Sequence, residues 1–387
     1  MTGVRTVALQ DVATIERDII EASAIKDGTL YVGLGNIQSG GDLVSVREVQ
    51  SGEIASSKFA FTPRHLLYGK LRPYLAKIAR PQFAGVCSTD ILPVLPGADL
   101  DRDYLAHFLL RPESVAWANS RAIGANLPRL SPRVLGEIRI PFPPLREQRR
   151  IAEVLDRVEA LRAKRRAAPA QLDTFTRSLF LDLFGDPATN PKGFPTKLLA
   201  SLVRADDTIN YGVVQPGDDL DDGIPLVRVG DLLEGRVSHA SLKRIAPSIE
   251  AAYKRSRLRG DEILVSCVGS VGIVATADEL LKGFNIARAV ARIPLAESIE
   301  RSFVVAYLKT DWVQRYFVNE LRTVSQPTLN IKQLSETRVF LPPIELQRNF
   351  ARRVAAVEKL KIAQRASLSE LDALFAALQY RAFRGEL

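Results

Sequence analysis

The chain has 387 residues, 46% of them hydrophobic and 25% charged, with 24 Gly, 22 Pro and 2 Cys. This composition excludes collagen-like, disordered and disulfide-rich secreted classes, and the length suits two or three domains with sizeable cores. Against 44 Asp and Glu stand 53 Lys and Arg, a net charge of +9 that favours an acidic partner, nucleic acid being the commonest.

The start, Met1-Thr2-Gly3-Val4-Arg5-Thr6, lacks the apolar run of a signal peptide, and no stretch reaches the roughly 18 apolar residues of a membrane helix. A soluble, cytoplasmic protein without membrane contact is expected. Residues 1–143 read as a mixed α/β block, in which Val32-Gly33-Leu34-Gly35-Asn36 is a strand-end turn. It lacks the third glycine of a dinucleotide fingerprint. An amphipathic helix is predicted from Asp103 to Asn119, with His107 at the edge of its core face. Residues 144–184 then form a long helix, entered at Pro143-Pro144, with Pro169 predicted to kink it. Gly185 to Gly193 is a linker by composition. A second mixed block fills 185–342, with strands predicted over Ile263–Val268 and Val271–Val274 and a helix from Arg301 to Asn319. A second long helix, entered at Pro342-Pro343, fills 343–387.

This alternation is a tandem repeat. Phe142-Pro143-Pro144-Leu145-Arg146-Glu147-Gln148 returns, 199 residues later, as Leu341-Pro342-Pro343-Ile344-Glu345-Leu346-Gln347. The same offset pairs Leu127-Pro128-Arg129-Leu130 with Gln326-Pro327-Thr328-Leu329, and Phe184 with Phe383. Both long helices carry apolar residues at alternating spacings of three and four. The predicted seam is Ile151, Val158, Leu161, Leu172, Phe175 and Leu179 in the first, and Phe350, Val357, Leu360, Leu371, Leu374 and Leu378 in the second. Such a sustained heptad argues for a coiled coil.

Reactive constellations are missing. The chain has no P-loop, no G-x-S-x-G elbow, no H-E-x-x-H and no C-x-x-C, and Asn190-Pro191-Lys192 lacks the second proline and aromatic of an amino-methyltransferase box. With only His65, His107, His239, Cys87 and Cys267 available, no metal site is expected. Cys267 reads as a small core residue. No catalytic residue is assigned and no cofactor is expected on this chain.

The basic residues are more informative. Between Glu53 and Asp90 there is no acid, while Lys58, Arg64, Lys70, Arg72, Lys77 and Arg80 supply six positive charges, and Tyr74 adds an aromatic ring. In the second copy, Lys254, Arg255 and Arg257 form a dense run, and Asn210, Tyr211 and Gln215 a polar-aromatic loop. Phosphates are met by clustered Lys and Arg; base edges are read by Arg, Asn, Gln, Ser or Thr on loops. Candidates for the second task are Arg121, Asn126 and Arg129, matched by Arg322, Ser325, Gln326 and Thr328, with Ser270 in a neighbouring glycine-rich loop.

The duplicated order of these motifs, with Leu67-Tyr68-Gly69-Lys70-Leu71-Arg72-Pro73-Tyr74 in one copy and Ser266-Cys267-Val268-Gly269-Ser270-Val271-Gly272 in the other, resembles the specificity subunit of type I DNA restriction-modification systems over the whole chain. The second copy departs from the pattern at Glu345-Leu346-Gln347 and Phe350. The resemblance implies an α/β (α+β) fold with two target-recognition domains separated by two long antiparallel coiled-coil helices, in pseudo-twofold repeat. It implies a non-catalytic subunit that reads a split double-stranded DNA target. Its expected partners are two methyltransferase (M) subunits and the motor-nuclease (R) subunits, on which S-adenosylmethionine, ATP and Mg would be bound. The competing expectation is a coiled-coil scaffold or adaptor with no DNA role.

Overall fold

The computed structural model describes residues 5–323 and 326–387; Ser325, one of the base-edge candidates, lies outside them. The described chain forms two compact units. One runs up to Arg166 and adds Arg365–Leu387; the other is Ala167–Gln364. Each long helix, Leu145–Phe184 and Ile344–Ala382, therefore contributes its first half to one unit and its second half to the other.

In the first unit, Ile91–Pro96 pairs antiparallel with both Ala13–Ile15 and Leu66–Gly69, and Ile78–Ala79 closes this four-stranded sheet. A five-stranded sheet contains one parallel pair, Thr29–Val32 beside Gly85–Cys87. The second unit repeats the plan. Ile263–Ser266 lies antiparallel between Val290–Ile293 and Val274–Thr276, and Ile224–Val227 runs parallel to Asn285–Ile286. The run from Val271 turns rather than extends, because Gly272 has φ of +89°, and the strand begins only at Val274.

The single helices predicted before each long helix are each two. Arg102–Leu109 stops at an extended Arg111, since Pro112 opens the next helix, Pro112–Ser120, and cannot donate an N–H. Arg301–Leu308 and Asp311–Asn319 are separated by an extended Thr310, whose hydroxyl donates to the Tyr307 carbonyl at 2.7 Å. Pro169 does not end its helix, which continues through it.

Aromatic side chains tie each globular block to a helix end from the other copy. In the first unit Phe383 lies 5.0 Å from Tyr104 and 5.4 Å from Phe108, ring centre to ring centre. In the second, Phe184 takes the equivalent place, 5.0 Å from Phe303 and 5.3 Å from Phe350. All of these except the slightly exposed Phe108 and Phe383 are essentially sealed from solvent, so they carry much of the apolar burial holding helix to block.

Within each unit the helix halves run antiparallel, and their contact corrects the predicted seam. Ile151, Val158, Leu172, Leu179, Phe350, Val357, Leu371 and Leu378 are buried or half-buried. Leu161, Phe175, Leu360 and Leu374 are exposed, at 47%, 55%, 52% and 47%. The facing positions are one residue further on. Arg162 donates to Asp372 at 2.6 Å and stacks on the Phe375 ring at 4.4 Å. In the other unit, Lys361 donates to Asp173 at 2.6 Å. The three-and-four spacing holds, but Arg162 and Lys361 take places in it where an apolar neighbour is expected, so counting apolar residues alone misplaces part of the seam.

Candidate nucleic-acid interface

In the first unit two segments far apart in sequence meet at the end of the Leu66–Gly69 strand. Leu130 N donates to the Lys70 carbonyl at 2.9 Å, Arg72 N to the Pro128 carbonyl at 2.7 Å, and Leu71 bridges Arg129. Arg72 is left-handed (φ 52°), which turns the chain sharply there. This gathers Lys70, Arg72, Tyr74, Asn126 and Arg129 in one region, all but the half-buried Lys70 being exposed. Arg121 is exposed too, its guanidinium 4.5 Å from the Trp117 ring centre.

The second unit has the same clasp in the same register. Leu329 N donates to the Cys267 carbonyl at 2.9 Å, Gly269 N to the Pro327 carbonyl at 3.0 Å, and Val268 bridges Thr328. Gly269 also has a positive φ, 76°. Ser270 and Gln326 are exposed and Thr328 is half-buried at this clasp. The short hairpin Arg322–Thr323 with Pro327–Thr328 carries the exposed Arg322.

Several predicted contacts are instead used internally. Lys58 is 8% exposed and spends its ammonium on Ser56 Oγ (2.6 Å) and the Ser56 and Ser57 carbonyls; burial pushes its pKa down. Lys77 donates to the Leu34 carbonyl at 2.5 Å. Arg80 is paired with Asp156 and Asp103. Arg257 forks onto the buried Glu250 at 2.8 and 2.6 Å and holds that carboxyl below its ordinary range. Asn210 accepts from Arg292 and donates to the Thr208 and Arg255 carbonyls. Tyr211 donates its hydroxyl to the Leu329 carbonyl at 2.5 Å, bracing the clasp from behind. Each of these six groups has a partner within its own unit, as desolvated donors such as the buried Lys58 need, while Arg257 stays exposed beside Glu250. Arg64, Gln215, Lys254 and Arg255 are exposed but are not part of either clasp.

Two participants escaped the sequence reading. Asp90 accepts from Arg129 Nε at 3.2 Å and lies 4.0 Å from the Lys70 ammonium; in the sequence it only ends the acid-free stretch. Arg288 is exposed, on the turn whose N–H donates to the Val213 carbonyl, and acts electrostatically on Tyr211. Its isolation between Ala287 and Ala289 in an apolar run was the available signal.

The repeated glutamine has a structural task. Gln148 is fully buried, accepts Asp101 N at 2.9 Å and donates to the Asp99 and Pro143 carbonyls, both at 2.9 Å. Gln347 likewise accepts Glu300 N at 3.1 Å and donates to the Pro342 carbonyl at 2.8 Å. His107, expected at a core edge, is 4% exposed and bonded to Asp156 at 2.9 Å. Cys87 and Cys267 are free, buried thiols, each pushed up to about 12 by burial. Among the described residues no group of three or more His, Cys, Asp or Glu is placed to hold a metal ion, and no helix is long and apolar enough to cross a membrane.

A duplicated block-and-helix chain with one clasp per copy has a counterpart among known families. The type I restriction modification DNA specificity domain matches residues 1–172 and again 207–371. The chain belongs to this family. It is 33% identical over 304 residues to the EcoBI specificity subunit of a type I restriction enzyme from Escherichia coli, a match covering 71% of this chain and 64% of that one. The chain thus matches less than two thirds of that relative's length. Against the EcoKI specificity subunit of E. coli K12 it is 22% identical over 381 residues, covering 89% and 82%. Among solved structures, a chain from work on complex assembly and conformational transition of the type I R-M system superposes with a TM-score of 0.64 at 22% identity, covering 100% and 99%. The type I S subunit from M. genitalium gives 0.59 at 15% identity, covering 99% and 97%. At these identities the likeness establishes the specificity-subunit fold.

Proposed function

We propose that this family member reads a split double-stranded DNA sequence, one half with each clasp, and holds the catalytic subunits of a type I restriction-modification complex. The observation that carries the reading is the repeated clasp. Two loops are pinned by the same hydrogen bonds in both units, and exposed Arg, Asn, Gln and Ser side chains stand on them. A rigid backbone presenting mixed donors and acceptors suits base edges, and the surrounding Arg and Lys suit phosphates. The copies differ in side chains while sharing the frame, which suits a target whose halves differ.

The family's naming supports a place among type I restriction-modification components. On this reading the chain itself is not catalytic. Two methyltransferase subunits bind S-adenosylmethionine and methylate adenine, and motor-nuclease subunits use ATP and Mg. The exposed Leu161, Phe175, Leu360 and Leu374 recur at the same heptad place in both helices. That recurrence supports docking of two copies of one partner, because a repeated surface binds a repeated partner.

The test is duplex binding by the full chain with its methyltransferase subunits across a salt series. A steep fall of log affinity with log salt, together with selection of a bipartite sequence, is expected. Capture of the methyltransferase subunits with no affinity for duplexes would leave a coiled-coil adaptor instead.

A further inference from the structure

The two clasps align residue for residue by their hydrogen bonds. Lys70 N donates to the Asp90 carbonyl at 2.9 Å, as Cys267 N donates to that of Ala289 at 2.7 Å. With the bridges Leu71 to Arg129 and Val268 to Thr328, Arg129 is equivalent to Thr328 and Asp90 to Ala289. An arginine and its carboxylate therefore stand in the first unit where the second has a threonine and an alanine. Given the DNA-reading function proposed above, we infer that Arg129 reads a guanine in one half of the target, and that Asp90 is the positioning residue that orients it.

The backbone of Arg129 is bridged on both sides, to Leu71 and to Ile123. Its Nε–H is taken by Asp90 Oδ1 at 3.2 Å and one Nη1–H points at the Leu127 carbonyl, 3.4 Å away. The side chain is 46% exposed. What remains is the end of the guanidinium: one Nη1–H and the Nη2 hydrogens, coplanar and held at the Nε edge. Two parallel donors match the O6 and N7 acceptors of guanine, and no other base offers two acceptors side by side in the major groove.

A phosphate also accepts an arginine fork, and Asp90, nearer to Arg129 (3.2 Å) than to Lys70 (4.0 Å), weighs against it. A carboxylate bonded to the guanidinium lowers the net charge a phosphate would meet and adds repulsion, whereas a neutral base edge loses nothing and gains a fixed donor pair. Arg72, two residues beyond Lys70 and exposed, has no acid partner among the described residues and carries no such restraint, so it suits the phosphate role.

The experiment selects duplexes from a randomised library with the full chain in complex with its methyltransferase subunits, and sequences what is bound. The wild type is expected to require a G·C pair at one position of one half. Arg129→Ala, and Arg129→Lys, which keeps the charge but not the fork, are expected to relax that position alone by ~5- to 150-fold. Asp90→Ala is expected to relax the same position while raising affinity for arbitrary duplexes. Asp90→Asn, which keeps an acceptor, should restore part of the preference. The other half stays unchanged, which serves as the control for folding. If Arg129→Ala weakens every duplex equally and leaves the motif intact, Arg129 is a phosphate contact and the inference is overturned while DNA reading stands. A wild-type motif without a G·C pair in the affected half overturns it as well. A wild type that selects no sequence defeats the proposed function itself.

Discussion

Gln148 reaches out of the first turn of its long helix to accept the backbone N–H of Asp101 at 2.9 Å. Asp101 is the cap of the following helix, its carboxylate taking the N–H groups of Asp103 and Tyr104. One buried amide thus fixes the long helix to the block it leaves, and Gln347 does the same from the other copy through Glu300. Replacing Gln148 by Leu takes the hydrogen-bond partner from the Asp101 N–H and the Asp99 and Pro143 carbonyls, of which Asp101 and Pro143 are half-buried and Asp99 exposed. Each group left unsatisfied away from water costs about 1–3 kcal/mol. Thermal denaturation of the full chain should show a clear loss for Gln148→Leu and a similar one for Gln347→Leu. An unchanged melting curve would mean that water reaches these groups.

The same glutamines show how far the residues alone carry the argument. The repeat, the long helices and the absence of catalytic motifs were all visible as patterns, because a duplicated chain displays its equivalences twice. The role of Gln148 was not, since its partners Asp99 and Asp101 lie 49 and 47 positions away. The clasp illustrates the limit more sharply. Arg129 and Lys70 are both candidates in the sequence, yet their segments meet only on folding, through the Leu130–Lys70 and Arg72–Pro128 hydrogen bonds and the Leu71–Arg129 bridge. Charge-rich stretches do not show which cations find partners on folding. Lys58, Lys77 and Arg257 look alike in sequence to Arg72, but their acceptors are supplied by folding.

The helix seam offers a test that separates stability from assembly. Because Leu161, Phe175, Leu360 and Leu374 are about half exposed, changing any one of them to Ser should alter folding stability by no more than about 0.5 kcal/mol. Val158→Ser or Val357→Ser, at 9% and 5% exposure, should cost roughly 1–3 kcal/mol. Chemical denaturation measures both sets. If the exposed set serves as the docking surface, these same four changes should weaken capture of methyltransferase subunits in a pull-down with purified components. Large destabilisation by Leu161→Ser would return that residue to the seam.

Division of the target between the units predicts one-sided changes. Gln326 and Thr328 stand at the second clasp, Lys70 and Arg72 at the first. Alanine at both positions of a pair should alter one half of the methylated motif and leave the other intact, as read by long-read sequencing of modified adenines. Loss of Arg72 alone should weaken binding to all sequences and lower the salt slope by about one, the signature of a single phosphate contact. Equal damage to both halves from either pair would contradict separate readout.

Glu250 gives the second unit an acid limit that can be assigned to one ion pair. Its carboxylate is 3% exposed, accepts two hydrogen bonds from Arg257 and one from Asn285, and is held below the ordinary carboxylate range chiefly by Arg257. A group whose folded pKa lies below its unfolded value binds fewer protons in the native state. Its stabilisation is therefore complete above the unfolded value, about 4.3 for a glutamate, and disappears as pH falls through the folded value. Glu250→Gln keeps the shape, removes the charge and leaves Arg257 without its partner. The variant should be less stable than the wild type at pH 7, by an amount that shrinks steadily below about pH 4.5. Urea denaturation between pH 3 and 7 follows the difference directly. A gap that stays constant over that range would show that the pair contributes packing and hydrogen bonds but no linked proton, and the acid sensitivity of this unit would then reside in other carboxylates.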